Sequence, residues 1–106
     1  MIRKALVMKV FAGCHEEYKQ RHDEIWPELA EMLRAHGAQS YSIFLDAETN
    51  NLFAYLEIKD EQLWSQTSET EICQQWWSYM KDIMETNNDH SPVSVELKEV
   101  FHLDCR

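Results

Sequence analysis

Residues 3–11 (RKALVMKVF) alternate between two sets of side chains. Leu6, Met8 and Val10 form one set; Ala5, Val7 and Phe11 form the other, broken by Lys9. A period of two in an apolar, β-branched run predicts a strand, which Ala12-Gly13 ends. From His15 to His36 the period becomes helical, with Tyr18, His22, Ile25, Leu29, Met32 and Leu33 on one stripe. Gly37 is a natural C-terminal cap. Pro27 falls inside this stretch and either kinks the helix or starts a second one at its first position. Residues 39–45 (QSYSIFL) alternate again, with Tyr41, Ile43 and Leu45 together. After a polar turn at 46–51, residues 52–58 (LFAYLEI) complete a hairpin. Residues 60–68 read as a short helix. Residues 69–84 read as a longer one, with Ile72, Trp76, Met80 and Ile83 at helical spacing. A polar loop at 86–92 leads to a last alternating run over 93–103, carrying Val93, Val95, Leu97, Phe101 and Leu103.

The order β-α-β-β-α-β predicts an α+β, ferredoxin-like fold: a four-stranded antiparallel sheet with helices on one face. The other face then needs a cover. Met8, Phe53, Tyr55 and Val100 are candidates for it, and parity alone does not say which set it is. Two such sheets packed face to face would form a dimeric α+β barrel. No linker, repeat or low-complexity segment divides the chain, so residues 1–106 read as one domain. A domain this small buries about 65% of its unfolded surface, a thin core that dimerisation would reinforce.

Charge narrows the partners. Ten basic and 19 acidic residues give a net charge of −9, which argues against nucleic acid, anionic membrane surfaces and phosphorylated substrates. Cys14, Cys73 and Cys105 are an odd number without CxxC or CxxH spacing. That argues against a disulfide framework and a structural zinc site, and points to a reducing compartment. The N-terminus lacks a signal-peptide pattern, and no apolar run approaches the ~18 residues of a membrane span. A cytoplasmic protein is expected. With only two glycines and no GxGxxG, P-loop or GxSxG, nucleotide cofactors and serine nucleophiles are out.

His22 is the sharpest chemical candidate. It occupies an inward position where the helical period calls for a hydrophobe, and its ordinary pKa lies near neutrality. Tyr18 stands one turn before it and Trp26 one turn after. A core histidine satisfied by a hydrogen bond would fit the same pattern. His15, His36, His90 and His102 lie at helix ends, in a polar loop or near the C-terminus, and are weaker candidates. Tyr41 is either a core residue with a partnered hydroxyl or a group that holds a sugar oxygen. Trp76 and Trp77 point about 100° apart on a helix, so one joins the core stripe and the other faces a pocket, a partner or solvent. Aromatic packing on a sugar's C–H face and a dimer interface are equally cheap uses for it. From these patterns alone three readings stand open: a sugar-directed acid–base enzyme, a cofactor-independent or haem-degrading monooxygenase of the dimeric barrel class, and a non-catalytic sugar-binding module.

The runs HEEYKQRHDEIWPEL (15–29), CQQWWSYM (73–80) and HSPVSVELKEVF (90–101), with the Tyr41 strand between them, resemble the L-rhamnose mutarotase family over essentially the whole chain. The Asp104-Cys105-Arg106 tail departs from the pattern. The resemblance implies a dimeric α+β barrel that interconverts the α and β anomers of L-rhamnopyranose without cofactor or metal. It implies that His22 is the proton donor, acting on the ring oxygen. It also implies that Tyr18, Tyr41, Trp76 and Trp77 line the sugar site, with the tyrosines holding hydroxyls and the tryptophans stacking on the apolar face and the 6-methyl group.

Overall fold

The computed structural model describes all 106 residues. Its strands are β1 (Ile2–Lys9), β2 (Ala38–Asp46), β3 (Asn51–Ile58) and β4 (Val95–Leu97); its helices are α1 (His15–Asp23), α2 (Pro27–Ala35), α3 (Glu61–Ser65) and α4 (Glu71–Met80). The sheet is antiparallel in the order β2-β3-β1-β4, the ferredoxin-like arrangement.

Register settles the two faces. Leu6 pairs with Ala54, Met8 with Leu52, Ile43 with Ala54 and Tyr41 with Leu56. These side chains share the helix-covered face, and the core there includes Met8, Val10, Leu52, Ala54, Trp76 and Met80. Met8, a candidate for the other face, is therefore a core residue, only 7% exposed. The other face carries the row Phe44-Phe53-Val7-Val95 and beside it Ser42-Tyr55-Ala5-Leu97. No element of this chain covers it, and Phe44 and Val95 are 65% and 64% exposed.

Local chemistry explains where the helices differ from the sequence pattern. The residue before a proline is driven from the α region, and Trp26 is extended at φ −62° and ψ 130°. The long helical stretch therefore breaks: α1 ends at Asp23 and Pro27 opens α2. Gly37 follows α2 at φ +99°, a left-handed conformation that costs glycine little. Asp60 caps α3 by accepting from the Leu63 amide, and Thr70 caps α4 by accepting from Cys73. The chain leaves α4 at Met80, four residues before the pattern suggests, because Met84 is taken by a β-bridge to Val10.

The last strand is also shorter than its alternation suggests. Leu97 pairs with Ala5, so the same register sets Glu99 opposite Arg3 and Phe101 opposite Met1. The neighbouring strand runs out there. Residues 98–106 continue with no regular structure, and Val100 is 89% exposed rather than part of the sheet face. No helix is long and apolar enough to cross a membrane.

Leu52 joins the core from the centre of the sheet and is 2% exposed. Leu52→Ala leaves a cavity that this thin core cannot close, and urea denaturation should show a loss of about 2–5 kcal/mol. A loss below about 1 kcal/mol would contradict this placement.

Candidate active site

Helix α1 reads HEEYKQRHD, and only Tyr18 in it is fully buried. It has no wide apolar stripe to hold it, so one cation takes that part. Arg21 Nη1 donates to the Tyr79 carbonyl at 2.6 Å and to Asp82 Oδ1 at 2.9 Å, while Nε donates to Glu17 at 2.8 Å. The guanidinium also lies 4.4 Å from the centre of the Tyr79 ring. The hydrogen bonds to Asp82 raise the Arg21 pKa further and hold the Asp82 carboxyl below its usual range. Arg21 thereby ties α1 to the end of α4.

That tie sets His22 against α4. The imidazole stacks on Tyr18 with centroids 4.4 Å apart and meets Trp76 edge-on at 5.4 Å. Its Nδ1 lies 3.0 Å from the Tyr18 carbonyl oxygen. A carbonyl only accepts, so Nδ1 carries the hydrogen and, in the neutral ring, Nε2 keeps its lone pair. Burial lowers the His22 pKa from its ordinary 6.5, partly opposed by the Tyr18 carbonyl and Asp23. The resting ring at neutral pH is a base with one free nitrogen.

The remaining predicted residues meet it in one cavity. A cavity of about 1010 Å³ between the helices and the sheet is lined by Tyr18, His22, Tyr41, Trp76 and Trp77. Burial raises the Tyr18 phenol pKa, and the enclosing protein pushes that of Tyr41 up to about 12, so both stay protonated donors. No buried polar side-chain atom lacks a partner. The Tyr18 hydroxyl, which bonds to no protein group, is therefore open to solvent, and Tyr41, likewise without a hydroxyl partner, is 41% exposed. Trp76 is the core member of the tryptophan pair, packed edge-on to Trp26 at 5.0 Å; Trp77 is half-buried on the cavity wall.

Three contributors were not marked by pattern. Trp64 of α3 reaches Tyr41, with centroids 6.3 Å apart, and lines the cavity. Cys73 also lines it, but burial pushes its thiol up to about 11, which leaves it inert at neutral pH. His15 sits at the start of α1 as expected, yet it too faces the cavity, with Nε2 engaged 2.7 Å from Asn50 Oδ1. Only the aromatic character of Trp64 could have hinted at its place.

A sequence model of the L-rhamnose mutarotase family matches residues 3–103. An L-rhamnose mutarotase from Bacillus subtilis is 62% identical over 104 residues, 98% of this chain and 100% of that protein. The crystal structure of an L-rhamnose mutarotase from Formosa agariphila superposes with a TM-score of 0.91 at 43% identity, covering 98% of this chain and 100% of the other. An antibiotic biosynthesis monooxygenase superposes with a TM-score of 0.62 at 14% identity, over 94% of this chain and 99% of that one. Identity that low shows a shared fold alone.

Because folding lowers the His22 pKa, protons favour the unfolded chain. This contribution to stability is complete above the unfolded value of 6.5 and is lost as pH falls through the lower folded value. Carbon-13 shifts of the His22 ring should titrate with a midpoint below 6.5. A midpoint above that value would mean that the ring is stabilised as the cation.

Proposed function

The chain belongs to the L-rhamnose mutarotase family, and on that footing we propose that it interconverts the α and β anomers of L-rhamnopyranose with His22 as the proton carrier. What supports the reading is the His22 ring itself, with Nδ1 engaged and Nε2 free at the wall of an aromatic cavity. Mutarotation needs the proton of the anomeric hydroxyl removed and a proton supplied to the ring oxygen. Both oxygens are bonded to the same carbon, so one imidazole nitrogen can serve both in turn. His22 Nε2 takes the hydroxyl proton. The bond from the anomeric carbon to the ring oxygen breaks, its electron pair stays on the ring oxygen, and the aldehyde carbonyl forms. The imidazolium then delivers its proton to the ring oxygen, the donor role expected for His22. Rotation about the bond to the aldehyde and the reverse sequence close the other anomer. No proton is gained or lost overall.

Tyr18 and Tyr41, held protonated, hydrogen-bond sugar hydroxyls. Trp76 and Trp77 pack on the C–H face and the 6-methyl group. A low His22 pKa suits this use, because a buried imidazolium is a strong enough acid to release its proton quickly. No cofactor enters these steps.

The subunit acts as a homodimer through the sheet face that carries Phe44, Phe53, Val7 and Val95. An apolar patch of this kind on a small domain marks an interaction surface. A two-fold axis between two copies would bury it as the inside of a barrel. The three free cysteines suit the reducing cytoplasm.

In NMR magnetisation-exchange measurements between the anomeric protons of L-rhamnose, the protein should accelerate exchange. His22→Asn should slow the catalysed rate by about 10²-fold or more with its circular dichroism unchanged. Undiminished exchange in that variant would remove His22 from the reaction. Phe44→Glu should yield monomers in sedimentation; a persistent dimer would place the interface elsewhere.

A further inference from the structure

Helix α1 carries a second imidazole that the reaction leaves unused. His15 and His22 are seven residues apart, about 20° short of two full turns, so both lie on one side of the helix. Both are half-buried, and both line the cavity.

The two rings are held in complementary ways. Asn50 Oδ1 accepts a hydrogen bond from His15 Nε2 at 2.7 Å. An amide oxygen cannot donate, so Nε2 carries the hydrogen and, in the neutral ring, Nδ1 keeps its lone pair. His22 is the opposite tautomer, with Nδ1 engaged and Nε2 free. His15 Nδ1 bonds to no protein group and is no buried orphan, so it is open to solvent.

The anchor on His15 is rigid. Asn50 sits at the end of the β2–β3 turn at φ +67°, a left-handed conformation that asparagine tolerates better than most residues. Its amide donates to the Asp46 carbonyl at 2.9 Å, and its carbonyl accepts from the Val10 amide at 3.1 Å. Val10 belongs to the core and is bridged to Met84. The other polar residues of α1 on the cavity rim have no such support. Glu16, Lys19 and Asp23 are exposed, and Lys19 pairs with Asp23 at 2.8 Å.

The spacing suits a sugar. Seven residues of helix advance about 10.5 Å, and a hydrogen bond of about 2.8 Å at each ring leaves about 5 Å between the two bonded oxygens. That is the width of a pyranose with a hydroxyl on either side. His22 Nε2 works at the anomeric hydroxyl and the ring oxygen, which share the anomeric carbon. Across the six-membered ring from them stand C3 and C4. The lone pair of His15 Nδ1 needs a donor, and at C3 and C4 the donors of L-rhamnose are hydroxyls.

We propose that His15 is a sugar-contacting, specificity-determining residue, whose free Nδ1 accepts a hydrogen bond from the C3 or C4 hydroxyl of the pyranose that His22 holds by its anomeric end. This deepens the mutarotase reading and rests on it. His15 transfers no proton. It reads the side of the sugar that does not react, so its bond is as strong in the ground state as in the transition state. Binding of that kind sets KM and leaves kcat alone.

The experiment measures anomer exchange by NMR for L-rhamnose and for its analogues lacking the hydroxyl at C2, at C3 or at C4, with the wild-type protein and with His15→Phe. Wild-type protein should show a KM raised about tenfold for the C3 or the C4 analogue, the equivalent of one lost hydrogen bond. His15→Phe should raise the KM for L-rhamnose by about the same factor, keep kcat within about twofold, and no longer distinguish L-rhamnose from that analogue. The C2 analogue is the control, and the ratio of its KM to that of L-rhamnose should be the same in both proteins. A residue that only anchors α1 to the hairpin would weaken all four sugars alike and leave every ratio in place, which would overturn the proposal. So would an unchanged KM for L-rhamnose, or a kcat lost with KM kept, which would put His15 in the chemistry. Should His15→Phe fail to fold, His15→Ala takes its place. The analogue series on wild-type protein needs no variant: equal KM values for L-rhamnose and for both the C3 and C4 analogues already contradict the contact. If wild-type protein leaves exchange unaccelerated, the mutarotase reading fails instead. Quenching of tryptophan fluorescence by the same four sugars then gives Kd values to which the same ratios apply, and binding of none of them would remove the role of His15 as well.

Discussion

A backbone carbonyl can accept a hydrogen bond but never donate one, and that asymmetry organises the site. The Tyr18 carbonyl faces Nδ1 of His22 one turn later, so it selects the tautomer and leaves Nε2 with its lone pair free. The bond alone makes no enzyme. His36 bonds its own preceding-turn carbonyl at Met32 in the same way, at 2.8 Å, but at the end of α2 and away from the cavity. What sets His22 apart is its surroundings. Tyr18 covers one face of the ring and Trp76 meets its edge, and the resulting desolvation keeps it neutral at rest. Since α1 offers so little apolar surface, that environment depends on Arg21 holding the helix against the Tyr79–Asp82 end of α4.

The sheet divides its work between two faces. Period-two alternation sends Leu52, Ala54 and Leu56 under the helices and Phe53 and Tyr55 to the other side. One face builds the core and the cavity wall; the other carries the apolar row of Phe44, Phe53, Val7 and Val95 that no element of this chain covers. The two functions meet at β2, where Tyr41 faces the cavity, Phe44 the open side, and the strand's outer edge is free.

Much of this was legible from the chain alone, for identifiable reasons. Strong alternation in 3–11 and 52–58 located β1 and β3, and the Tyr18–His22 spacing required only that one helical turn form. Pro27 left a choice between a kink and a break, and the extended Trp26 decides for the break. The alternation at 93–103 overstates the last strand because it reports where side chains point, whereas pairing also needs a neighbour, and β1 runs out opposite Phe101. Parity without register has no sign, so only the pairing of Met8 with Leu52 places it on the core face. Trp64 and the Arg21 clamp escaped notice because they act across about 20 to 60 positions of sequence, beyond any local period.

The most direct test of His22 as a base that becomes the acid is the pH dependence of kcat/KM for L-rhamnose anomer exchange, measured beside the titration of the His22 ring in the free protein. The expected profile is flat through neutrality and falls on the acid side with the midpoint of that titration, below 6.5. A rate that rises as the ring becomes protonated would contradict it, and would mean that the imidazolium, not the neutral imidazole, begins the reaction.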